Sequence, residues 1–184
     1  VTSLSPARII RGRIVSFLDE PRLAGADALE IIEEGAVLVE DGRIAAVGET
    51  AAIRARAPTA IIDDHSGKLV MPGFIDTHIH YPQTRVIASY GAQLLEWLQK
   101  YTFVEEQKLR DPADASIVAR FFLDEMFRQG TTTAMVYCTV HPESVDAFFE
   151  ESLRRDVRMI AGKVMMDRNA PAGLTDDPQR GYDE

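Results

Sequence analysis

Apolar and polar positions change rhythm once along the 184-residue chain. Up to about Val70 the apolar residues come in short runs broken by charges and turns. "ARIIRGRIVSF" predicts a strand on a partly exposed sheet. "GAVLVEDGRIAAVGE" holds two alternating segments joined by Asp41-Gly42, a pair that tolerates the positive φ angles of a type I′ turn, and so predicts a β-hairpin. "AIIDDHSGKLV" predicts a further strand pair turning at Ser66-Gly67. Glu49 to Ala57 predicts one short helix, closed by Pro58.

After Val70 strands alternate with helices. "GFIDTHIH" predicts a strand. "AQLLEWLQKY" predicts an amphipathic helix with Leu94, Leu95 and Leu98 on one face and Trp97 beside them. Asp111-Pro112 opens a helix that runs to Gly130, a good stop. "TTTAMVYCTV", continuous and β-branched, predicts a strand buried on both faces. Pro142 starts the helix "ESVDAFFEESLRR", "VRMIAGKVMM" predicts another buried strand containing Lys163, and "DRNAPAGLTDDPQRGYDE" predicts a long loop. Strands and helices alternating in this way mean βαβ units and a parallel sheet. The expected organisation is a β-rich domain over 1–70 and an α/β domain over 71–184.

A net charge of −9 repels phosphate backbones and anionic lipid, which argues against nucleic acid or membrane surfaces as partners. Small neutral substrates stay open. One cysteine, Cys138, excludes an internal disulfide framework, fits a reducing compartment, and in its apolar run reads as a buried inert thiol. The first dozen residues contain no signal-peptide core, and no apolar stretch approaches the roughly 20 residues that span a bilayer. A cytoplasmic, soluble protein is the expectation.

The candidate chemistry lies in "PGFIDTHIHYPQ". Side chains two apart on a strand share a face, so His78 and His80 project together, with Phe74 and Asp76 on their side and Ile75, Thr77 and Ile79 toward helices. Two imidazoles at a strand end make half a site for Zn²⁺ or Fe²⁺. A chance pair at a loop is the bland alternative. His65, in "DDHSG", reads as a solvated turn residue. His141 could face the same mouth, although His-Pro is equally a plain helix-opening dipeptide. Lys163 reads as packed or paired, not bridging metals.

The segment "VMPGFIDTHIH", with its preceding hairpin, resembles the first barrel strand of the amidohydrolase superfamily, which carries Pro-Gly-x-x-Asp-x-His-x-His there. More narrowly, "THIHYPQ", "LLEWLQKYTFVEE", "GTTTA" and "GKVMMDRNAP" are together similar to guanine deaminases. That resemblance implies a sandwich-type domain followed by a metal-dependent (β/α)₈ barrel. It also implies hydrolytic deamination of guanine to xanthine and ammonia by a zinc-activated water. His78 and His80 would be zinc ligands (iron is possible), and Gln83 would hydrogen-bond the purine. Trp97 and Leu94 would wall the pocket mouth, a role that helix packing rivals for both, and the parent would be a homodimer. The proton-shuttling glutamate, near a third histidine, and a further histidine and an aspartate would come from later strands, so no catalytic residue is expected in this chain. A barrel of eight strands needs roughly 250 residues, and about 115 follow Val70. The chain is therefore expected to carry only the barrel's beginning and, isolated, to be inactive. Deamination of another heterocycle and a non-catalytic, partner-binding fragment are the alternatives.

Overall fold

The computed structural model describes residues 6–91 and 93–184. Residues 1–5, and Ala92 at the start of "AQLLEWLQKY", lie outside the described residues. Two compact units divide the chain, one up to Pro72 and one from Gly73 on.

The first unit is a single four-stranded sheet of β1 (Arg8–Phe17), β2 (Leu29–Glu40), β3 (Arg43–Glu49) and β4 (Ile61–Val70), in the order β3-β2-β1-β4. The β2–β3 hairpin closes as its turn chemistry requires. Glu40 pairs with Arg43, and Asp41 and Gly42 between them hold φ of 49° and 73°, the two positive values of a type I′ turn. Helix α1 (Thr50–Arg56) places Ile53 on the sheet against Ile9, Ala36 and Leu38.

The turn expected at Ser66-Gly67 does not form a hairpin. Strand β4 runs through it and pairs in parallel with β1, jumping from Arg11↔Asp64 to Arg13↔Leu69. Residues 65–68 are thrown out as a bulge, because Asp64 Oδ1 accepts from the Ser66 N–H at 2.8 Å and Gly67 takes φ 80°. This local turn diverts the chain without reversing it.

In the second unit β5 (Phe74–His80), β6 (Thr131–Tyr137) and β7 (Met159–Gly162) form a parallel sheet in chain order. Between β5 and β6 lie helix α2 over residues 94–110 and helix α3 (Pro112–Arg128). Helix α4 (Pro142–Arg154) connects β6 to β7. Helix α2 runs well past the predicted Tyr101, with its middle turn, Leu98–Thr102, wound as a π-helix. Asp111 caps α3, its carboxylate accepting from the Ala113 and Asp114 N–H groups at 2.8 and 3.2 Å. Asp111→Ala is expected to cost about 1 kcal/mol of stability, measurable by urea denaturation.

Strand β6 is buried on one face only. Ala134 and Val136 lie under the helices, in a core with Tyr81, Phe122, Leu123 and Phe148. Met135 and Tyr137, pointing the other way, are 43% and 38% exposed. Both helices that cover this sheet pack on the Ala134 side, so a sequence rhythm suited to double burial meets cover on one face. Strand β7 has four residues and stops before Lys163. The predicted terminal loop contains a turn at Ala172–Leu174 and a short helix α5 (Pro178–Asp183), capped by Asp177. Among the described residues no helix is long and apolar enough to cross a membrane.

Candidate active site

The C-terminal end of β5 carries the candidate chemistry. His78 and His80 lie with ring centroids 5.3 Å apart and ring planes at 52°. Tyr137, the register partner of His80 on β6, sits against both. Its ring is 4.7 Å from His78 and stacks on His80 at 4.8 Å and 16°. The two imidazoles therefore converge on one side.

They do so despite an uneven pleat. The β5–β6 register slips between Asp76 and Ile79, where three steps on β5 match two on β6. A one-residue slip changes the phase of alternation. Of the three residues expected to face helices, Ile79 packs on the helical core, whereas Ile75 is 69% exposed and Thr77 is also exposed. Asp76 lies before that slip, opposite the helix-facing Ala134, and so does not continue the face of the histidines; the ladder is also irregular between Phe74 and Ile75, and Phe74 is 57% exposed. Asp76 instead turns its carboxylate onto its own strand, accepting from the His78 N–H at 2.9 Å.

Burial first, and then the neighbouring His78, lowers the pKa of His80. This keeps the imidazole neutral with a free lone pair, the form that binds metals. Two imidazoles on one side suit two positions of a metal shell. Among the described residues no cluster of three or more His, Cys, Asp or Glu could hold a metal, so the pair fits half of a donor set.

Beside the histidines opens a cleft of about 430 Å³, lined by His78, His80, Gln83, Thr84, Trp97 and Phe122 among others. Its floor follows from one anchor. Tyr81 is fully buried, its ring 5.2 Å from that of Phe148, and its hydroxyl donates to the Ser144 carbonyl at 2.6 Å. This ties the 3₁₀ turn Tyr81–Val86 to α4 and fixes where Gln83 stands. Gln83 Nε2 in turn donates to Glu106 Oε1 at 3.4 Å. Glu106 is buried, and that burial pushes its carboxyl above the usual range against the opposing effect of the Gln83 bond.

The structure thus gathers His78, His80, Gln83 and Trp97 around one cleft. Leu94 is 68% exposed and does not line it. His141 stands just before the first residue of α4, its side chain making no capping bond, and lines a separate cavity with Arg110, Asp176 and Arg180. His65 is exposed on the β4 bulge. Lys163 pairs with Asp176 at 2.8 Å and with Glu184. Sequence reasoning missed Tyr137, Phe122 and Glu106. Tyr137 had a usable signal, since it ends the neighbouring parallel strand as His80 ends β5. Cys138 is buried, and burial pushes its thiol up to about 12. A disulfide reagent is expected to label it only after unfolding; rapid labelling of folded protein would contradict that burial.

The sequence pattern of the Amidohydrolase family matches residues 69–184. The chain belongs to the amidohydrolase family. A second pattern, the bacterial imidazolonepropionase-like composite domain, matches residues 35–60. Guanine deaminase of Escherichia coli K12 is 46% identical over 181 residues, covering 95% of this chain and 40% of that protein. The structure of guanine deaminase from Bradyrhizobium japonicum superposes with a TM-score of 0.88 at 39% identity, over 95% of this chain and 38% of that one. That of guanine deaminase from C. acetobutylicum, with guanine bound in its active site, superposes with a TM-score of 0.76 at 25% identity, over 96% of this chain and 41% of that one. The chain spans about 40% of the length of the E. coli relative.

Proposed function

We propose that this chain is part of an enzyme that hydrolyses guanine to xanthine and ammonia. The reading is carried by the convergence of His78, His80 and Gln83 on one cleft in a chain so similar to guanine deaminases. On this reading the unit up to Pro72 belongs to a sandwich-type domain, and the unit from Gly73 on begins a (β/α)₈ barrel. His78 and His80 hold two positions on a zinc ion, with iron the alternative for the same imidazoles. Zinc, when bound, supplies the Lewis acidity that makes water nucleophilic near neutral pH.

The chain's own residues bind and orient. An amide carries one donor group and one acceptor group, so Gln83 can turn one of them to a heterocycle edge. Trp97 and Phe122 give the cleft apolar wall against the purine ring and exclude water there. Tyr137 restricts the tilt of both imidazoles. The proton shuttle is assigned to no residue of this chain. The resemblance to guanine deaminases also supports a homodimer, and the single cysteine, Cys138, fits the reducing cytoplasm.

The test is ammonia release by the complete, zinc-loaded protein from guanine, adenine and cytosine in parallel. Turnover of guanine far above the others is expected. Turnover of adenine or cytosine without turnover of guanine would overturn the substrate assignment. Metal analysis of the same preparation decides zinc against iron.

A further inference from the structure

Under the cleft lies a carboxyl group for which the chemistry above has no use. Glu106 is only 5% exposed, one turn beyond the π-wound segment Leu98–Thr102 of α2. A π-turn inside an α-helix often marks a functional site, and here it separates Trp97, on the cleft wall, from Glu106 beneath it. The neighbouring Glu105 looks outward to Arg85 and Lys108. Among the described residues no Lys or Arg pairs with Glu106, and its one side-chain partner is Gln83 Nε2.

That partnership removes an ambiguity. An amide side chain can turn either its oxygen or its nitrogen toward a ligand, and its surroundings decide which. A carboxylate oxygen accepts, so the Gln83 nitrogen turns down to Glu106 and the carbonyl is left for the cleft. The backbone beneath does not drift, because Tyr81 is tied to Ser144 and Thr84 Oγ1 donates to the Tyr81 carbonyl at 2.6 Å.

We propose that Glu106 is a positioning residue that sets the polarity of Gln83, so that the cleft offers a hydrogen-bond acceptor and selects heterocycles with a ring N–H at that edge. A lactam-type purine meets this demand. A purine with a bare ring nitrogen there sets lone pair against lone pair and is rejected. The inference rests on the proposed role of Gln83 in binding substrate and adds what that role discriminates.

The experiment uses the complete, zinc-loaded protein. Two probes that cannot be deaminated report the edge: hypoxanthine, with a lactam N–H, and unsubstituted purine, with a bare nitrogen. In the parent protein hypoxanthine is expected to inhibit at roughly tenfold lower concentration than purine; a preference for purine overturns the proposal without any variant. Glu106→Leu is expected to raise the KM for guanine about tenfold. It should also erase the preference between the probes, with kcat and zinc content little changed. Glu106→Gln, whose oxygen still accepts, is expected to keep the parental values.

Acting through Gln83, Glu106→Leu should add nothing in a Gln83→Ala background. An equal effect in both backgrounds, or loss of zinc and kcat at unchanged KM, overturns the positioning role. A Gln83→Ala variant with parental KM overturns the substrate role of Gln83 itself, which separates the two failures. If Glu106→Leu does not accumulate as folded protein, Glu106→Ala enters the same cycle.

Discussion

His78→Ala in the complete protein is expected to lower deaminase activity by on the order of a thousandfold or more and to leave zinc well below one ion per chain. Each imidazole contributes a substantial part of the binding free energy of a small donor set, and a truncated side chain offers no replacement. His78 is exposed, and its ring meets those of the partly exposed His80 and the exposed Tyr137, so the thermal midpoint of metal-free protein should hardly move. That separation gives the test its force. A site residue loses metal and rate together while the fold persists, whereas a residue needed for folding loses all three. His80→Ala should behave similarly. Full zinc occupancy with full rate in either variant would remove the histidines from the metal site.

Phe148→Ala should cost about 3–5 kcal/mol of stability, read as a lowered midpoint in urea. Phe148 is fully buried on α4, its ring 5.2 Å from Tyr81 and 6.1 Å from Phe122. The α3–α4 contact beside it cannot slide to fill the hole. Buried Glu151 accepts from Ser116 at 2.8 Å and from Arg155 at 2.8 Å, and Arg155 also reaches Asp124 at 2.8 Å. Phe149, next in sequence but 36% exposed, is the internal control. Its replacement by Ala should cost about half as much or less. Because Tyr81 loses the nearer of its ring contacts and keeps that to Phe122 at 6.2 Å, the turn carrying Gln83 should loosen as well, and the KM for guanine should rise before the fold is lost.

The elements were readable wherever local chemistry decides them. Asp41-Gly42 could close only one kind of turn, Asp111-Pro112 could begin only a helix, and the alternation after Val70 fixed parallel strands. The convergence of His78 and His80 followed from their spacing, and Ile79 faces the helices as expected, yet the same reasoning failed for Ile75 and Thr77. Period two assumes an unbroken ladder, and the slip between Asp76 and Ile79 depends on what β6 offers across the sheet. Ser66-Gly67 misled for a related reason. Its turn chemistry is real, but whether a turn reverses a strand or merely bulges it is decided by the partner, here β1. Glu106 was illegible, because one acidic residue on a helix looks like any other until the fold sets it beneath Gln83.

The order of the strands bears on how the chain is made. In the second unit each strand lies beside the one synthesised just before it. A nascent chain can therefore add β6 to β5, and β7 to β6, as each leaves the ribosome, keeping loop-closure costs local. The first unit lacks that freedom. Strand β1 emerges first but sits between β2 and β4, so one of its edges stays open until residue 70 has been translated and is the natural place for a chaperone to act.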